Sequence, residues 1–155
     1  MSTHPAVPNT VTAAATLWFT AVAAGAFEAS IAVSHALTNG AAFSDIAAGL
    51  GFRLAVFAGA IFVAVRLRQG HNWARVTLAL TLGVFGTLSL VMEPIQWLLA
   101  GNSVPEFLAG ADAFTLAMTV SRIIHINAVL GAVALMFSPP SNAFFNRLRA
   151  LTPAA

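Results

Sequence analysis

The sequence contains no cysteine, no tyrosine and no lysine. Without cysteine, disulfides, thiolate metal sites and cysteine nucleophiles are excluded. Without lysine, all seven basic residues are arginine. The net charge is only +2, and no basic patch suited to nucleic acid is present. Charge of either sign is scarce: 8% of the 155 residues are charged, against roughly 25% in a soluble domain. The chain therefore lacks the polar surface needed to face water. Nucleotide-binding glycine loops, zinc motifs and nucleophile elbows are also missing.

What the chain has is apolar length. Hydrophobic residues make up 59% of it, enough for about four spans of ~20–25 residues with short loops and no separate soluble domain. The expected fold is all-α: a single transmembrane domain forming a four-helix bundle. Its spans cover about residues 11–37, 46–66, 73–100 and 113–137. The first stretch is not read as a signal peptide. Met1–Thr12 carries no Lys or Arg, and the apolar run continues past Glu28.

Punctuation between the spans is clear. Met1–Val11, with Pro5 and Pro8, reads as a short loose tail. Thr38-Asn39-Gly40 is turn chemistry, and Ser44 or Asp45 is suited to capping the second span. Gly70 breaks that helix and Asn72 is suited to capping the next. Ser103 and Glu106 have capping-box spacing, compatible with a small interfacial helix. Pro139-Pro140 ends the fourth span. Beyond it, Phe144, Phe145, Leu148 and Leu151 fall at helical spacing, with Arg147 and Arg149 between them. Residues 141–151 thus read as a short amphipathic helix on a membrane surface, the alternative being a frayed tail.

Arginine placement predicts orientation. Arg66, Arg68 and Arg75 lie between spans two and three, and Arg147 and Arg149 follow span four. The other two loops hold Asp45, Glu106 and Asp112 and no arginine. By the positive-inside rule both termini are cytoplasmic. The alanine-rich, lysine-free composition is associated with GC-rich bacterial genomes, so the expected location is a bacterial cytoplasmic membrane, multi-pass.

Four charges fall inside the spans: Glu28, Arg53, Glu93 and Arg122. Each costs about 2.5–3.5 kcal/mol at a helix centre on insertion scales, so pairing is expected. The first hairpin turns near Ala41, with Glu28 13 residues before it and Arg53 12 after. The second turns near Glu106, with Glu93 13 before and Arg122 16 after. At 1.5 Å rise per residue each pair is nearly level, in the outer half of the bilayer. His125 follows Arg122 by three, on the same face. Pro94 next to Glu93 removes a helical N–H and predicts a kink beside a buried carboxylate. The candidate site is therefore Glu28, Arg53, Glu93, Arg122 and His125, read either as a structural staple or as a pathway or pocket for protons or a polar ligand. His35 and His125 are not level, which argues against one haem between them.

Two segments carry a resemblance. Gly70-His71-Asn72-Trp73-Ala74-Arg75 and Ser138-Pro139-Pro140-Ser141-Asn142-Ala143-Phe144-Phe145 resemble segments of small four-helix membrane proteins of actinobacteria. That resemblance implies the same topology and no activity. The four-span plan with a glutamate in span one is also similar to small multidrug transporters, but those lack a level arginine such as Arg53. The expectation is a non-enzymatic accessory or assembly subunit without a cofactor. It sits in the lipid bilayer, as a homo-oligomer or within a larger membrane complex. The alternative is a small proton-coupled transporter or membrane ligand-binding protein using the Glu/Arg layer.

Overall fold

The computed structural model describes residues 6–151, so His4 and the first part of the expected tail lie outside the described residues. Six helices follow one another: α1 Asn9–Thr38, α2 Phe43–Arg68, α3 Asn72–Leu99, α4 Val104–Gly110, α5 Ala113–Met136 and α6 Pro139–Leu151. No strand occurs among the described residues. Helices α1, α2, α3 and α5 are each long and apolar enough to cross a membrane. They correspond to the four expected spans.

Three glycines end α1, α2 and α3. Gly40, Gly70 and Gly101 have φ of 88°, 86° and 85°, the left-handed conformation that a side chain disfavours. Past Gly40 the amide of Ala41 donates back to the Ala36 carbonyl at 3.0 Å. Past Gly70 the amide of His71 donates to Arg66 at 3.1 Å. Each bond satisfies a carbonyl that the helix end leaves free. Helix starts depart from expectation. Neither Ser44, Asp45, Asn72 nor Ser103 makes a side-chain cap. The first two lie inside the opening turn of α2, whose N-cap is Ala42. Asp112 does cap with its side chain, accepting from the Thr115 amide at 2.8 Å.

Helix α3 changes its winding before it reaches Pro94. The helix widens to π-type turns over Ala79–Gly86 and then runs on as α-helix through Pro94 to Leu99. Gly83 lies in the widened stretch. A Cβ there would stand 3.0 Å from a Val133 methyl, so the backbones of α3 and α5 approach closely at this point. The carboxylate beside Pro94 is not buried, as described below.

Packing is uneven along the bundle. Buried apolar residues gather at the arginine-bearing end: Trp18 of α1, Leu67 of α2, Leu78 of α3, Met136 of α5, and Phe144 and Phe145 of α6. The Trp18 indole N–H points at the Met136 sulfur, 3.4 Å away. Small residues join α1 to α5: Ala21, Gly25 and Ala29 on one side, Ala128 and Ala132 on the other, all buried. Such residues let two helix backbones come close. The α6 segment is helical, but its two phenylalanines are used against the bundle rather than left for a membrane surface. Leu151, Arg147 and Arg149 remain exposed. Towards the other end the bundle opens. The apolar windows of α2 and α3 are each 6% buried, against 39% for α1 and 22% for α5. A cleft of about 230 Å³ marks where α2 and α3 part, lined by Val56, Ala60, Thr77 and Leu82 among others.

Candidate functional site

Helix α5 carries the polar centre of the molecule. Ser121, Arg122 and His125 fall within four residues, so they share two adjacent strips of one helix. One strip faces α1. There the Glu28 side chain is 6% exposed, and its Oε1 lies 3.4 Å from His125 Nδ1. The Ser121 hydroxyl donates to the same oxygen at 3.3 Å and reaches the Ala24 carbonyl at 3.4 Å. Gly25 makes room for this arrangement. A Cβ at Gly25 would stand 3.2 Å from the His125 ring and 3.0 Å from the Phe57 ring of α2. Phe57 therefore lies over the seam of α1 and α5 beside the Glu28–His125 pair.

The other strip faces α3. Arg122 Nη1 donates to Glu93 Oε2 at 3.1 Å. This is one of the two expected ion pairs. The surroundings differ from expectation, because the Arg122 side chain is 30% exposed and that of Glu93 is 80% exposed. One guanidinium N–H, at Arg122 Nε, is buried without a partner. The second carboxylate oxygen of Glu93 makes no bond among the described residues.

The expected Glu28–Arg53 pair does not form. Counting residues from a turn gives depth along a helix but not the direction a side chain takes around it. Glu28 belongs to the α1 face that holds Ala21, Gly25 and Ala29, and that face is turned to α5. Arg53 is exposed on α2 and has no hydrogen bond or ion pair among the described residues. It lies seven residues before Ala60, hence on the face that packs inward lower down. At its own level the bundle is open. Of the five candidate residues, the structure thus joins Glu28 with His125 and Glu93 with Arg122, and leaves Arg53 apart.

Three contributors escaped the sequence reading. Ser121 had a usable signal, four residues before His125 on the same face. Gly25 had only the four-residue spacing of small residues it shares with Ala21 and Ala29, and Phe57 had none, because its role depends on how α1, α2 and α5 meet. A fourth residue departs from expectation: Arg75, expected among the loop cations, is buried and hydrogen-bonded to the Asn142 side chain. Its guanidinium lies 4.2 Å from the Phe137 ring centre and 5.2 Å from that of Phe145. It ties α6 to the start of α3.

At the open end, His35 stacks on Phe114 at 4.2 Å. Nearby, the Thr115 amide and then its hydroxyl hold the Asp112 carboxyl below its usual value, with His35 adding to the same effect. Among the described residues no three His, Asp or Glu side chains gather where a metal ion could be held. No protein family, curated protein or solved structure matches the chain, and the resemblance to actinobacterial four-helix proteins gains no support from them.

Proposed function

We propose that this chain is a four-span protein of the bacterial cytoplasmic membrane, with both ends cytoplasmic. It performs no catalysis and works by associating with other membrane spans, as an accessory or assembly subunit. Insertion is supported by four helices of sufficient length and apolarity and by large exposed side chains such as Phe52, Phe62, Phe85 and Leu99. Orientation is supported by the five arginines gathered at one end. The observation that carries the association is the state of two charges. Arg53 has no partner among the described residues, and the Glu93 side chain, held only by Arg122, is 80% exposed. Charged groups on membrane spans are placed against one another or against a water-filled cavity rather than towards lipid.

The test is native mass measurement after extraction with a lipid-preserving polymer, which retains neighbouring spans. A species heavier than one 16.0 kDa chain plus lipid is expected. A lone chain in every extract sinks the reading.

A second reading is favoured by the Glu28–His125 pair. A buried carboxylate and a half-buried imidazole stand together there with no arginine bonded to either. That is the chemistry of a proton-exchanging site, as in a small proton-coupled transporter. Glu28→Gln would then abolish a pH-driven flux in vesicles while leaving the fold intact. Loss of folding instead assigns the pair to structure.

A further inference from the structure

We infer that the open α2–α3 side of the bundle is the interface for a second copy of this chain. In that interface Arg53 of each protomer meets the second carboxylate oxygen of Glu93 on its partner. The inference rests on the association proposed above and names the associate.

Three features carry it. First, the charges complement each other within one chain. Arg53 is exposed and unpaired, and Glu93 is 80% exposed with only Oε2 engaged, by Arg122. A surface bearing one unmet cation and one half-met carboxylate is complementary to itself. Second, the depths are close. Arg53 lies level with Glu28 across the first turn, Glu28 is bonded to α5 at Ser121 and His125, and Arg122 beside them holds Glu93. Counted across Gly70, Glu93 stands six residues farther from that turn than Arg53, about 9 Å along straight helices. The widened turns of α3 shorten that offset, and a long arginine side chain spans the rest. Two copies inserted the same way, related by a two-fold axis along the membrane normal, bring equal depths together. Third, the two charges sit on the helices that flank the cleft. Above Leu78 and Leu82 the helices part, leaving Val56, Leu88, Met92 and Ile95 exposed. A two-fold axis in front of the cleft places α2 against the partner's α3 and the reverse. Both Arg–Glu contacts then form at once. Glu93 ends with an arginine on each oxygen, Arg122 from its own chain and Arg53 from the other.

Apolar exposure by itself distinguishes nothing here, because lipid satisfies it. A lone arginine in the apolar zone is different, since lipid cannot satisfy its charge or its N–H groups.

The chain has no cysteine, which makes it a clean background for cross-linking. Val56 and Ser89 are both exposed and stand about one turn below Arg53 and Glu93. Two differently tagged chains, one with Val56→Cys and one with Ser89→Cys, would be co-expressed and oxidised in isolated membranes. A disulfide-linked pair is expected. The exposed Leu130→Cys on α5, paired with itself, is expected to give none. In parallel, Arg53→Glu and Glu93→Gln are each expected to lower the dimer fraction roughly tenfold, and Arg53→Lys to retain most of it. The Val56/Ser89 cross-link with unaltered charges guards against a charge variant that merely fails to insert. No cross-link in membranes where the tags prove insertion overturns the inference. So does a dimer indifferent to both charges. If a different membrane protein is recovered in stable ratio while the cross-link fails, the associating role survives and the second copy does not. A chain that is alone throughout sinks both.

Discussion

At the residue scale, the same glycine conformation carries different consequences at different turns. Gly40 and Gly70 have nearly equal positive φ. An alanine in that conformation costs about 1–2 kcal/mol. Around Gly40 a Cβ would meet nothing within 4 Å, whereas at Gly70 it would collide with the Leu148 side chain of α6. Gly70→Ala should therefore lower the melting temperature in detergent more than Gly40→Ala. Equal losses would mean that Leu148 yields freely and that α6 is loosely held. Arg75 permits a sharper test of that docking. It offers Asn142 a hydrogen bond and the Phe137 and Phe145 rings a flat cation. Together these are worth about 1–2 kcal/mol. Arg75→Leu should speed amide exchange across Pro139–Leu151 roughly tenfold, and Arg75→Lys should do nearly as much, because an ammonium cannot reproduce the planar contacts. Unchanged exchange in both variants would deny Arg75 its anchoring role. The role was hidden in the sequence because a basic residue at the start of a span has a sufficient explanation in topology, and nothing local ties it to Asn142, 67 residues later.

At the element scale, α5 is the helix whose start is chemically defined. Asp112 accepts from the Thr115 amide, and that bond, with the Thr115 hydroxyl and then His35, holds its carboxyl below the usual 3.8. A depressed carboxylate contributes stability above its unfolded value and loses it as pH falls through the folded one. The melting temperature should therefore be flat from neutrality to about pH 5 and decline below about pH 4, with Asp112→Asn showing a shallower decline. Asn keeps an oxygen for the Thr115 amide, so little change is expected at neutral pH. An identical acid limb in both proteins would remove Asp112 from the account. The helices themselves were legible because apolar length and glycine-ended turns are local signals, and Gly40 and Gly70 did what their positions implied. Caps were less legible. Ser44, Asp45, Asn72 and Ser103 have the right chemistry, but the chain entered each helix without using their side chains for the end amides. The widened turns at Ala79–Gly86, which end eight residues before Pro94, left no local mark in the sequence.

At the scale of the whole molecule, the ends of the bundle differ in kind, and orientation decides what each end faces. The closed end holds Trp18, Leu67, Met136 and the α6 phenylalanines, with Arg66, Arg68, Arg75, Arg147 and Arg149 around it. The open end holds the polar strips of α5 and the separated α2 and α3. Depth was readable by counting from the turns, and it correctly joined Glu93 to Arg122. Azimuth was not readable, and so Glu28 was assigned to Arg53 when α1 turns it to Ser121 and His125. With the arginine end inside, Glu28, His125, Glu93 and Arg53 lie nearer the outer surface, and a proton or a partner span reaches them from that side. With the arginine end outside, the same groups would face the cell interior, and neither a proton pathway from outside nor an outer-half interface would follow. The absence of cysteine makes the distinction measurable. His71→Cys lies in the loop between α2 and α3, and Asn102→Cys lies in the loop after α3; both residues are exposed, just outside opposite ends of α3. A membrane-impermeant maleimide applied to intact spheroplasts should label Asn102→Cys at once and His71→Cys only after permeabilisation. The reverse pattern would overturn the orientation and move the Glu28–His125 pair and the Arg53–Glu93 layer to the inner half of the membrane.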